Sequence, residues 1–146
     1  MSVSWRGELS VGNDAIDSSH LCLIKLINQA ERCLDARDLN ELNSALDCLS
    51  NYAQEHFVLE EKIAHAVGYT DVNHLNMSHK LLYKQLDQAM GEVREMGQEW
   101  SSEIAGRFSN FLRSWLIVHV INEDLLMKPS LQKYPSDFNP LDAPLN

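Results

Sequence analysis

Four stretches of this chain repeat apolar residues every three or four positions, and glycine, proline or a short polar break closes each of them. Such a chain must bury four helical stripes against one another. Leu21, Ile24, Leu26, Ile27, Ala30 and Leu34 outline a first helix, capped at Ser18 or Ser19 and running to about Arg37. After a break at Asp38 to Asn40, the second stripe passes through Leu42, Leu46, Leu49, Ala53, His56, Glu60 and Ile63 and ends at Gly68. Thr70 or Asp71 can cap a third helix carrying Leu75, His79, Leu82, Leu86 and Val93, which Gly97 terminates. A fourth begins near Ser101 or Ser102, carries Ile104, Phe108, Phe111, Leu112, Trp115, Leu116, His119 and Val120, and is stopped by Pro129 shortly after Met127. Short links between helices of this length predict an all-α, antiparallel up-down-up-down four-helix bundle over residues 1–128. An irregular N-terminal arm is expected over 1–17, and an extended tail or linker over 129–146.

At 146 residues the chain suits one domain with a core large enough to fold without staples. Its 21 acidic and 12 basic residues give a formal net charge of -9, which repels nucleic-acid backbones and anionic membrane surfaces. The opening MSVSWRGELS lacks a cationic segment followed by an apolar run, and no charge-free stretch has the length of about 18 residues that a spanning helix needs. A cytoplasmic protein is the expectation. Cys22, Cys33 and Cys48 match neither a zinc-site spacing nor an even disulfide framework, so reduced, packed thiols are expected.

The chemical signal is the polar residues that intrude on the inner stripes. His56 and Glu60 are four apart, so both leave one face of their helix and can grip one ion. Of six histidines, His20, His56, His79 and His119 fall on the apolar stripes of four different helices. A single such histidine is usually a hydrogen-bonded core residue. Four of them, one per helix and accompanied by carboxylates, point instead to a metal. Imidazole with carboxylate suits iron, manganese or zinc. Helical spacing favours Glu60 over Glu61 and, four residues after His119, Glu123 over Asp124.

Three segments in order resemble the bacterial hemerythrins over Trp5 to about Asp124: the lead SWRGELSVGNDAIDSSH, the stretch HFVLEEKIAHAVGY and the closing WLIVHVINED. The resemblance implies two non-haem iron ions joined by an oxo, hydroxo or other exogenous bridge. In it His20 and His56 serve one iron, His79 and His119 the other, and Glu60 and Asp124 bridge them. On the choice between Glu123 and Asp124 it opposes the helical spacing. It also implies dioxygen, or a related small ligand, as the partner, in an oxygen carrier or an oxygen or redox sensor; the proline-bearing tail reads as a linker to a C-terminally fused signalling domain. The family's third histidine on the second iron falls here on Leu75, leaving an open position; the neighbouring His74 is the nearest substitute but points about 100° away on a regular helix. Ile24, Phe57, Leu75, Trp115 and Leu116 are expected to line the ligand pocket. An alternative from another class is a diiron oxidase, peroxidase or nitric-oxide-processing enzyme using that open position. A third is a bundle holding one metal or none that serves only as an interaction surface.

Overall fold

The computed structural model describes residues 4–97 and 99–141. Four long helices account for most of them: α1 (Asp14–Asp35), α2 (Leu39–Ala66), α3 (Val72–Glu95) and α4 (Ser102–Asn122), followed by a short α5 (Lys128–Leu131). Each helix packs on the next, and α4 closes on α1. Two apolar clusters lie above and below a polar layer. Along α1 the order is Ile16, His20, Leu23, and along α3 it is Leu75, His79, Leu82; in each the first residue belongs to the smaller cluster and the last to the larger. On α2 the sequence reverses, from Phe57 of the larger cluster through Glu60 to Ile63 of the smaller, so neighbouring helices run antiparallel. This is the four-helix bundle that the apolar periodicity predicts. Glu31, buried on α1, accepts from Ser109 Oγ at 2.8 Å and Arg113 Nε at 2.9 Å and so ties α1 to α4.

Helix ends follow side-chain chemistry more closely than the breakers suggested. α1 starts earlier than a cap at Ser18 or Ser19 allows, because Asn13 Oδ1 accepts the Ile16 amide at 3.1 Å and Asp14 and Asp17 favour the first turn. Asp17 also binds back to the arm, taking Ser10 Oγ at 2.5 Å and the Val11 amide at 2.9 Å. At the other end α1 stops at Asp35, before Arg37, which takes a left-handed φ of 53°. Asp38 then caps α2 by accepting the Glu41 amide. Gly68, at φ 75°, closes α2 in a turn where the Tyr69 amide reaches Ala64 O at 2.9 Å. Leu21, expected inside, is 39% exposed, while Leu23 takes the inward place. Cys33 alone of the three cysteines is buried, and Cys48 is exposed. No described helix is long and apolar enough to cross a membrane.

The extended tail expected from residue 129 is corrected over its described part. Pro129 sits in the first turn of α5, where its missing amide and fixed φ suit a helix start. Met127 and Leu131 are buried in the smaller apolar cluster, and Phe138 packs against it. The backbone then returns to the start of α1: the Asp14 amide donates to Ser136 O at 2.8 Å and Asn13 Nδ2 to Phe138 O at 2.9 Å. Pro144 lies outside the described residues.

Asn13 therefore holds two elements with one side chain. Asn13→Ala is expected to cost about 1–2 kcal/mol in denaturant unfolding, the scale of a lost N-cap. Asn13→Asp keeps the cap acceptor and loses only the donor to Phe138 O, so it should cost less; equal losses would show that the tail contact contributes most of the effect.

Candidate metal centre

The polar layer is built from every long helix. His20 on α1, His56 and Glu60 on α2, His79 on α3, His119 on α4 and Asp124 just beyond α4 are each 4% exposed or less. Their ligand atoms form two overlapping groups, His20–His56–Glu60–Asp124 and Glu60–His79–His119–Asp124, and within each group these atoms lie within 4.8 Å of one another.

The carboxylates stand between the two pairs of imidazoles. Glu60 Oε2 lies 2.9 Å from His56 Nε2 and 3.3 Å from His20 Nε2. Its other oxygen, Oε1, lies 3.1 Å from His79 Nε2 and 3.8 Å from His119 Nε2. Asp124 divides in the same way, with Oδ2 at 2.9 Å from His20 Nε2 and Oδ1 at 2.8 Å from His119 Nε2. Each carboxylate thus offers one oxygen to each group.

Asp124 faces inward because α4 stops being regular. On a continued helix the fifth residue after His119 would point about 140° away from it. The helix ends at Asn122, Glu123 adopts φ -121° and ψ -58°, and Asp124–Met127 tightens into a 3-10 turn. That break swings Asp124 into the centre. Glu123, which regular spacing favoured, turns outward and pairs with His74, whose Nε2 lies 3.0 Å from its Oε2. His74 is 64% exposed on its side chain, so the structure does not bring it to the centre. His65 is exposed as well.

Several atoms that converge here lack an aligned hydrogen bond among the described residues although fully buried: Nε2 of His20, His56 and His119, Glu60 Oε2 and both oxygens of Asp124. Leaving such groups unpaired costs about 1–3 kcal/mol each. A cation within each group would satisfy them, and mixed imidazole and carboxylate donors fit iron, manganese or zinc. Three of the four outward ring nitrogens are partnered elsewhere: His56 Nδ1 with Ser19 Oγ at 2.7 Å, His79 Nδ1 with Glu61 Oε2 at 2.8 Å, and His119 Nδ1 with Ser78 Oγ at 3.4 Å. Anchoring one ring nitrogen leaves the other aimed at the centre. Sequence reasoning missed Ser19, Ser78 and the role of Glu61, because all three act across helix pairs. Glu61 does point off the His56 face, as its spacing indicates, and meets α3 there.

Without a cation, protons supply the positive charge. Burial opposes it, yet Asp124 and Glu60 beside them push His20 up to about 9 and His119 up to about 10. Burial depresses His56. Burial also works to raise Glu60, but Asp124 and the surrounding imidazoles hold it well below the usual carboxylate range. Asp124 is raised by burial and by the charge of Glu60.

Of the expected pocket lining, Ile24, Phe57, Trp115 and Leu116 are buried in the larger apolar cluster and Leu75 in the smaller, so they lie on opposite sides of the polar layer. Phe57 stacks on His79 with centroids 4.3 Å apart and an interplanar angle of 16°. Trp115 donates its indole N–H to Leu82 O at 3.0 Å. A groove of about 670 Å³ between α3 and α4 reaches Trp115 and His119 from outside.

Buried imidazoles on four helices around two shared carboxylates place the chain among the metal-binding four-helix bundles. The family described as the hemerythrin HHE cation binding domain matches residues 11–131. This chain belongs to the hemerythrin family. It is 24% identical over 115 residues to the bacteriohemerythrin of Methylococcus capsulatus, covering 79% of this chain and 85% of that one. It is 23% identical over 124 residues to the bacteriohemerythrin of Clostridium acetobutylicum, covering 82% and 94%.

The raised histidines set a pH dependence for the metal-free protein. Their folded values exceed the ordinary 6.5, so the stability they contribute is complete below that pH and is lost as pH rises through about 9 to 10. The depressed Glu60 acts only at acid pH. The thermal midpoint of chelator-treated protein should therefore fall from neutrality toward about pH 10; a flat profile would contradict the assignment.

Proposed function

We propose that this chain holds two non-haem iron ions and binds dioxygen, or a related small ligand, at them, as a cytoplasmic oxygen carrier or an oxygen or redox sensor. The observation that carries the reading is the division of each carboxylate. Glu60 and Asp124 each turn one oxygen toward His20 and His56 or His20 alone, and the other toward His79 and His119 or His119 alone, which suits two cations bridged by both groups. Iron in such a place supplies reversible one-electron chemistry and coordination positions for an added ligand.

The protein's own contribution is enclosure and charge. The two carboxylates carry two negative charges into a layer between apolar clusters, which favours cation pairs over water. Phe57, Trp115, Ile24 and Leu116 on one side and Leu75 on the other keep water out of the layer, the condition for holding a small ligand without further reaction. Leu75 is 1% exposed and offers no donor, so each group presents two imidazoles and two carboxylates. Both metal positions then keep room for exogenous ligands. That same feature favours the second reading, an oxidase, peroxidase or nitric-oxide-processing enzyme; turnover of peroxide or nitric oxide by the iron-loaded protein would select it.

The test is an iron count together with optical spectra after anaerobic reduction and after exposure to air. Two irons per chain and new ligand-to-iron absorption on adding oxygen are expected. One metal or none, with no response to oxygen, would leave only an interaction surface. Glu60→Ala should lose both irons, because both groups share that residue, whereas His56→Ala should chiefly weaken one. Leu75→His, adding a donor one turn before His79, should tighten iron at that position and slow autoxidation; unchanged retention would remove Leu75 from the account.

A further inference from the structure

The two metal groups have the same donor count, two imidazoles and two shared carboxylates. They differ in what stands behind the imidazoles. His56 Nδ1 meets a serine hydroxyl, Ser19 Oγ at 2.7 Å, and His119 Nδ1 meets another, Ser78 Oγ at 3.4 Å. A hydroxyl can donate or accept, so neither contact fixes which ring nitrogen carries the proton. His20 Nδ1 is buried with no hydrogen-bond partner among the described residues. Behind His79 Nδ1, at 2.8 Å, stands the Glu61 carboxylate.

We infer that Glu61 is a positioning residue that fixes and polarises His79, and so sets the metal affinity of the Glu60–His79–His119–Asp124 position separately from its neighbour. The inference rests on the dinuclear reading of the centre.

An ionised carboxylate only accepts, so Glu61 draws the His79 proton to Nδ1; His79 Nε2 also lies 3.1 Å from Glu60 Oε1, and a cation held between those two would take the Nε2 lone pair. Hydrogen bonding to an anion also makes the ring a stronger donor through Nε2. Glu61 is itself held. Asn76 on α3 donates its side-chain N–H to Glu61 Oε1, while Oε2 serves His79. The His79 ring is clamped from its face too, by the stacked Phe57. None of the other three rings has a carboxylate on its outward nitrogen among the described contacts. Glu61 sits at the bundle's edge, 22% exposed on its side chain, where it also lines a shallow surface groove with His65 and Leu141. It can therefore be changed without opening the core.

The experiment titrates cobalt(II) into the metal-free protein, followed by calorimetry and by the visible bands of the bound ion. Unfolding of each metal-free variant is recorded in parallel. The parent chain should bind two ions. Glu61→Gln keeps an acceptor but removes the charge, and should weaken one binding step about tenfold; Glu61→Ala should weaken the same step by up to about 100-fold, the range for lost outer partners of metal-bound histidine. Ser19→Ala should weaken the other step and leave this one unchanged. Glu61→Gln indistinguishable from the parent would overturn the inference while leaving the dinuclear centre intact. Equal weakening of both steps would mark a general structural role and overturn it as well. A parent chain that binds no cobalt would remove the dinuclear reading and this inference with it.

Discussion

Glu60 is the group on which the rest of the centre depends. Its carboxylate is fully buried, and its two oxygens face imidazoles from three other helices as well as His56 on its own. An ionised carboxylate in such a place is costly unless positive charge meets it. The protein answers with converging histidine nitrogens and a second carboxylate, Asp124, which adds to the demand for positive charge. The result is a polar layer that protons can occupy in part and that two cations would complete. Packing follows from the same demand: to bring four imidazoles to one carboxylate pair, all four helices must approach at one level, with apolar clusters closing both sides.

The end of α4 shows how a backbone irregularity serves that layer. A regular helix would have carried Glu123 inward and Asp124 aside. Termination at Asn122 and the tight turn after it reverse the two. Glu123 turns outward and pairs with the exposed His74. The buried Met127 and Leu131 just beyond anchor the turn in the smaller apolar cluster, and the tail's return to Asn13 and Asp14 joins the last described segment to the start of the first helix. The chain after Asp124 is therefore part of the support for that carboxylate.

The outward-facing ring nitrogens give the layer its asymmetry. Carboxylate, hydroxyl and, for His20, no hydrogen-bond partner among the described residues stand behind rings that otherwise contribute alike. Donor sets count ligands, but the orientation and basicity of each imidazole come from this outer contact. Glu61 was legible as a residue that does not share the His56 face. Its partner was not legible, since it lies eighteen positions away on the next helix.

The sequence by itself determined the four apolar stripes, the placing of one histidine on each stripe, and the pairing of His56 with Glu60. These depend on helical periodicity, which is local and survives in the order of residues. Its resemblance to the bacterial hemerythrins also favoured Asp124, against the spacing rule. Only the tertiary structure decided why Asp124 turns inward, where α1 begins, that the tail docks on the bundle, and which side chains stand behind the imidazoles. Those outcomes depend on a broken helix end and on contacts between distant segments, and neither leaves a period in the sequence.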